Sequence, residues 1–204
     1  MTDKWDTLAD DETIQKTISA LKENGIDATV VENGEQAKQK VLEILPKGAE
    51  VMPMSSVTID EIGLSDVIEN SGKYNSVRSK LMSMDRKTQS LEIQKLGAAP
   101  EWAIGSVHAV TEDGKVLIAS NTGSQMPAYA YGSAHVIWIV GTQKIVKNMD
   151  EGIKRIYEHS LKLENERAQK AYGITSAVNK ILIVNKERIS GRITLIFVKE
   201  KIGF

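Results

Sequence analysis

The chain has 204 residues, 41% apolar and 26% charged, with a formal net charge of -1 and no cysteine. Near-neutral charge without a Lys/Arg stripe argues against nucleic acid as a principal partner, and the missing thiols exclude disulfides, a cysteine nucleophile and an iron–sulfur cluster ligated by this chain. The N-terminal MTDKWDTLADDE has no secretory h-region and no apolar run nears the ~20 residues of a membrane helix, so one soluble cytoplasmic domain over 1–204 is expected, with 1–39 as its helix-and-strand lead-in.

Ile14, Ile18 and Leu21 recur at helical spacing across 11–24, and Gly25 supplies a stop. IDATVV (26–31) reads as a strand, followed by a turn at Asn33-Gly34. Ala37, Val41, Leu42 and Leu45 share one face of a helix over 35–45, with Pro46 just beyond. EVMPM (50–54) is a short strand in which Pro53 must take an end or an edge. Thr58 has the look of a helix N-cap, with Glu61 three residues on as the reciprocal half of a capping box, opening a helix through Ile68.

Two helices are predicted between 71 and 100, one around Leu81, Met82 and Met84 and one from Gln89 to Leu96. Ala103 to Thr111 reads as one strand, Asp113-Gly114 as a tight hairpin turn, and Lys115 to Ser120 as the antiparallel return. The loop Asn121-Thr122-Gly123-Ser124 then leads into a short helix around Pro127 to Tyr131. HVIWIV (135–140) is almost unbroken in apolar character, as in a strand buried on both faces, and Gly141-Thr142 follows it. A long charged helix over 149–170 carries Ile153, Ile156, Tyr157 and Leu161 on one face. ILIVN (181–185) and ITLIFVKE (193–200) are two closing strands joined by a turn near Ser190-Gly191.

Alternation of strands and helices implies an α/β fold with a mixed, mainly parallel, Rossmann-like sheet and helices on both faces. Ligands of such sheets bind outside the carboxyl ends of the strands. Three strand ends here carry small polar residues: Ser55-Ser56, the loop Asn121-Thr122-Gly123-Ser124-Gln125, and Gly141-Thr142. Their convergence on an anionic small molecule is the expectation, with backbone N–H groups at a helix start and Gly123 permitting close approach. Against it stands a plain turn and cap, for which Asn, Gly and Ser are equally suited.

Glu61 is the acidic candidate beside Ser55 and Ser56, although capping accounts for it. His108 is a candidate acid or base, or else a half-buried strand residue. His159 is expected on a solvated helix face and Glu164 to Arg167 as a solvent-facing run of local ion pairs; Lys144, following the third strand end, either pairs with an anionic ligand or, as the simpler reading, is a solvated lysine near a helix start. Tyr129 and Tyr131 are expected to be packing residues. No HxH or HExxH spacing exists, so no metal site and no cofactor are assigned; nor is any catalytic residue or oligomeric state.

Four stretches, SSVTIDEIGL (55–64), AIGSVHAVTEDG (103–114), NTGSQMPAYAYGSAHVIWIVGTQKIV (121–146) and GRITLIFVKEKIGF (191–204), resemble the LUD-domain family of lactate-utilisation protein C-like proteins in order and spacing, from about Lys40 to Phe204. The resemblance implies a fold like the ribose-5-phosphate isomerase (NagB/RpiA) and CoA-transferase group. It implies a role in lactate or related organic-acid utilisation, either by binding an anionic metabolite or as a non-catalytic partner of iron–sulfur proteins. Some relatives carry cysteines between the long helix and the last strands; here LENERAQKAYGITSAVNK (163–180) has none. The motifs of ribose-5-phosphate isomerases and CoA-transferases are also missing, so those reactions do not come with the fold.

Overall fold

The computed structural model describes residues 4–204. A 3-10 turn at Lys4–Asp6 precedes α1 (Asp11–Glu23), β1 (Asp27–Val31), α2 (Gly34–Ile44) and β2 (Glu50–Pro53). Next come α3 (Val57–Glu61), α4 (Leu64–Asn70), β3 (Asn75–Ser76), α5 (Val77–Ser83) and α6 (Ser90–Ala98). β4 (Trp102–Gly105), β5 (Ala109–Thr111) and β6 (Val116–Ser120) follow, then a π-helical turn at Ala128–Gly132 and β7 (His135–Gly141). A 3-10 turn at Thr142–Lys144 leads to β8 (Ile145–Val146). Finally α7 (Met149–Arg155) runs through a π segment, Ile156–Ser160, into α8 (Leu161–Tyr172), ahead of β9 (Lys180–Val184) and β10 (Ile193–Val198).

The fold is mixed α/β, and its main sheet has the order β1-β10-β7-β4-β2-β3 with every neighbouring pair parallel. The antiparallel pairs lie in a second sheet, β8-β5-β6-β9. The unbroken apolar run of β7 has its explanation in the pleat: Ile137 and Ile139 join one core with Ile196 and Val198, while Val136, Trp138 and Val140 join another with Leu195 and Phe197. α2, α3 and α4 supply the first core through Ala37, Val41, Ile59, Leu64 and Ile68. α1 and one face of the second sheet supply the other, through Ile14, Ile18, Leu21, Val110, Val116 and Ile118. The opposite face of the second sheet, with Ala109 and Leu117, packs on Ile153 and Ile156.

Several elements depart from the sequence reading. Asn33 is a helix cap, its side chain accepting from Gln36 N–H at 2.9 Å, so α2 opens where a turn was expected. The expected capping box is absent: Ser56 holds the cap position without a side-chain bond, Thr58 lies inside α3 and is buried, and Glu61 accepts instead from Gly203 N–H at 2.7 Å. The helix expected through Ile68 breaks at Gly63, whose φ of 69° is a left-handed conformation that glycine adopts without a Cβ clash. Ala103 to Thr111 is two strands in two different sheets, with the chain crossing between them at 106–108. β9 and β10 do not pair: β10 lies between β1 and β7, and β9 pairs with β6.

The long helix keeps Ile156 buried but leaves Tyr157 exposed. Among the described residues, no helix is long and apolar enough to cross a membrane.

Candidate functional site

The carboxyl ends of β2, β4 and β6 open onto one cavity of about 510 Å³. β2 contributes Met54, Ser55 and Ser56; the crossing after β4 contributes Ser106, Val107 and His108; β6 contributes Ser120 and the loop beyond it. Ile156, Ser160, Leu161, Glu164 and Arg167 of the long helix close another side. Asn165 Oδ1 accepts from Ser176 N–H at 2.7 Å, which ties the segment carrying Ser176, Ala177 and Val178 against the same cavity.

Lys144 lines this cavity although it is only 2% exposed. Its Nζ donates to Thr58 Oγ1 at 3.0 Å and to Ser106 Oγ at 3.1 Å. Both partners are hydroxyls, and among the described residues Lys144 forms no salt bridge. Burial, and then the charge of Arg155, hold the amine well below the usual lysine range, with Glu61 opposing them. The expectation of a solvated lysine is therefore overturned. Three to four residues beyond a buried strand, the chain is still inside the core, where α3 and the C-terminal segment cover it.

His108 accepts the Ala119 N–H on Nδ1 at 3.1 Å, so the proton of the neutral ring resides on Nε2. Burial, with the charges of Lys144 and Arg155, lowers its pKa to about 3. The ring is thus a hydrogen-bond donor in a cavity wall. Arg155, fully buried, donates from Nη1 to His108 O at 2.6 Å and to Ser160 Oγ at 3.1 Å. It fixes the backbone of His108 against the π segment. Such segments insert a residue into a helix and are frequent at functional sites.

Tyr129 stands in the π-helical turn Ala128–Gly132, buried against Trp138 in an edge-to-face contact at 5.5 Å, with burial raising its hydroxyl pKa. It lines the cavity as well as packing the core. Its turn is held by Arg192, which donates to the carbonyls of Ala128 (3.1 Å), Tyr129 (3.0 Å) and Ser133 (2.9 Å) and pairs with Glu187 at 2.6 Å. Glu164 and Arg167 are not merely a solvated surface: their bidentate pair, 2.7 Å at both contacts, lines the cavity. His159 is buried, with Nε2 3.6 Å from Asp6 Oδ1, not on a solvated face.

Of the residues proposed from the sequence, Ser55, Ser56, Asn121, Thr122, Ser124 and Gln125 line the cavity. Glu61, Gly123, Gly141 and Thr142 do not. Thr142 is buried with a hydroxyl that lacks a hydrogen-bond partner, and the third strand end reaches the cavity through Lys144 instead. Three N–H groups of the loop are already engaged. Gly123 N–H donates to Ser120 Oγ at 2.9 Å, Ser124 N–H to Thr122 Oγ1 at 3.3 Å, and Met126 N–H to Gly123 O at 3.1 Å. What it presents to the cavity is side-chain hydroxyl and amide.

Ser106 and Arg78 are among the lining residues that carry no site signal in the sequence, while Tyr129, Glu164 and Arg167 read there as packing or surface residues. Lys144 carries a usable signal, a lysine three residues past the end of a strand buried on both faces. Among the described residues, no group of three or more His, Cys, Asp or Glu side chains is placed to hold a metal ion.

The family model of the LUD domain matches residues 14–202, beginning well before the stretches that carry the sequence resemblance. A crystal structure of a DUF162 family protein from Deinococcus radiodurans superposes with a TM-score of 0.57 at 12% identity, over 94% of this chain and 99% of that one. At that identity the likeness concerns the fold alone. Ribose 5-phosphate isomerase from Plasmodium falciparum is more distant, with a TM-score of 0.35 at 14% identity over 78% of this chain and 80% of that one. No curated protein matches the chain.

Proposed function

The chain belongs to the LUD domain family, and on that premise we propose that it binds an anionic small metabolite, a 2-hydroxy acid such as lactate or a related organic acid, in the cavity at the strand ends, within cytoplasmic organic-acid utilisation. The observation that carries this reading is Lys144. A buried amine with two hydroxyl partners, and with the Glu61 carboxylate acting on it only from beyond salt-bridge distance, is incomplete as an ion pair. A ligand carboxylate supplies the missing charge, and charge-assisted hydrogen bonds in a desolvated site are among the stronger ones. Ser55, Ser56, Ser106 and the Nε2 proton of His108 offer further polar groups to the same ligand. The volume suits a metabolite-sized molecule.

Thermal shift with lactate, other 2-hydroxy acids, sugar phosphates and CoA esters tests this reading, on the wild-type chain and on Lys144→Met. Stabilisation of the wild type by an organic acid, lost in the variant, supports it. Equal shifts in both proteins remove Lys144 as the anchor.

A second reading is a non-catalytic partner of an iron–sulfur organic-acid oxidation system. It is favoured by one fact: the chain has no cysteine, so thiolate ligands of any cluster must come from another chain. Pull-down against the products of neighbouring genes tests it, and turnover of an organic acid by the isolated chain would count against it.

A further inference from the structure

We propose that Lys144 forms a covalent imine with the carbonyl of a small 2-oxo acid bound in the cavity. This rests on the reading that an organic acid enters there, and adds a reaction to it. Lys144 lines a cavity of about 510 Å³, its Nζ 3.1 Å from Ser106 Oγ and 3.0 Å from Thr58 Oγ1, with no salt bridge among the described residues to hold it as an ammonium ion. The fully buried guanidinium of Arg155 donates to the backbone carbonyl of His108, a residue that lines the same cavity, and its charge acts on Lys144. A desolvated lysine beside another cation is the arrangement that leaves an amine neutral and nucleophilic. Burial and the Arg155 charge act on Lys144 in that direction, and the Glu61 carboxylate acts against them.

The chemistry balances without an oxidant. The nitrogen lone pair of Lys144 attacks the carbonyl carbon of the 2-oxo acid. The two amine protons pass to the carbonyl oxygen, which leaves as water, and a C=N bond replaces C=O. Two hydroxyls within hydrogen-bonding distance of Nζ, those of Thr58 and Ser106, are placed to carry those protons between nitrogen and oxygen. The Nε2 proton of His108 is a donor for the acid's carboxylate or carbonyl, because Nδ1 is already engaged by Ala119 N–H. A 2-hydroxy acid of the same size has the carboxylate but no carbonyl. It occupies the cavity with Lys144 protonated, whereas the 2-oxo acid reacts with Lys144 neutral, so the two acids have opposite pH dependences.

The test incubates the full chain with pyruvate, 2-oxobutyrate or 2-oxoglutarate and sodium cyanoborohydride, whose hydride reduces the imine to a stable secondary amine. Intact-mass analysis and peptide mapping then locate the product, with lactate as a competitor and thermal shift run in parallel. One adduct per chain, mapped to Lys144 and suppressed by lactate, is the expected result. A yield that rises with pH while lactate binding weakens supports it further. Adducts scattered over surface lysines with Lys144 unmodified overturn the proposal. Thermal stabilisation by a 2-oxo acid without any Lys144 adduct also overturns it while leaving the anion site standing. Neither stabilisation nor adduct with any acid removes both. Mapping on the wild-type chain makes the outcome independent of whether Lys144→Met folds.

Discussion

Lys144 Nζ and Thr58 Oγ1 are 3.0 Å apart although 86 positions separate the two residues in the chain. The bond joins the turn after β7 to the short helix α3 after β2, and it does so at the edge of the cavity. A third chain segment covers it: a Cβ on Gly203 would lie 2.0 Å from Thr58 Oγ1 and 3.1 Å from Lys144 Nζ. The burial of the amine is therefore a product of three distant segments meeting.

The charge state of Lys144 makes anion binding proton-linked. Its folded-state pKa is lowered, so above that value an incoming carboxylate brings a proton with it. Affinity for an organic acid should fall as pH rises, approaching about tenfold per unit once the free amine is neutral. Isothermal titration in buffers of different ionisation enthalpy should show proton uptake. Lys144→Met should show neither uptake nor the pH slope.

His108 should make the fold acid-sensitive. Its ring is neutral when folded, with a pKa lowered to about 3, against 6.5 when unfolded. Below the unfolded value the unfolded chain binds the extra proton, so this stability is complete above pH 6.5 and drains away toward pH 3. The loss amounts to a few kcal/mol, on the order of 1.4 kcal/mol per unit before allowance for partial exposure. His108→Asn, whose side-chain oxygen can still accept from Ala119 N–H, should move the acid-unfolding midpoint downward in a circular dichroism titration.

Gly105 and Tyr129 form a size-matched pair. A Cβ on Gly105 would lie 2.1 Å from the Tyr129 hydroxyl and 3.1 Å from Met54 Cβ. Gly105→Ala should cost about 1–3 kcal/mol by overpacking. Combining it with Tyr129→Phe, which removes the clashing oxygen, should recover part of that loss. Urea unfolding of the two single variants and the double variant measures the coupling, and strictly additive values would contradict the contact.

Arg192→Met should be the most damaging of these changes, at about 3–5 kcal/mol, because it leaves Glu187 without its guanidinium and three carbonyls of the Tyr129 turn without donors. The released turn should also alter the packing of Tyr129 on Trp138, readable as a change in near-ultraviolet circular dichroism.

The Thr122→Ala/Ser124→Ala double variant should have a small effect on ligand affinity, under about tenfold. The Thr122 hydroxyl donates to Ser124 Oγ and accepts from Ser124 N–H, so part of the pair's capacity is already taken. A loss as large as that of Lys144→Met, compared by isothermal titration, would show that the loop, and not the buried amine, anchors the ligand.

Much of the framework was legible locally. The period of Ile14, Ile18 and Leu21 marks the buried face of α1, and the apolar run 135–140 marks a strand with a core on each side. These are nearest-neighbour patterns, and burial follows them directly. Where the same rules failed, a distant contact competed. Ala103 to Thr111 has the composition of one strand, yet its first half pairs with β2 and β7 and its second with β6 and β8. The break at 106–108 is what places Ser106 and His108 in the cavity. The Thr58–Glu61 spacing fits a capping box, yet both side chains bond to partners more than 80 positions away.

The sequence by itself determined the α/β class, the faces of the principal helices and strands, the absence of any thiol chemistry and the family resemblance, because each depends on composition, short-range periodicity or motif order. Only the tertiary structure decided which polar residues share a cavity and in which direction their titration is displaced. Desolvation and the charges of neighbouring groups lower the pKa of both Lys144 and His108, and both causes arise from segments that the chain brings together only on folding.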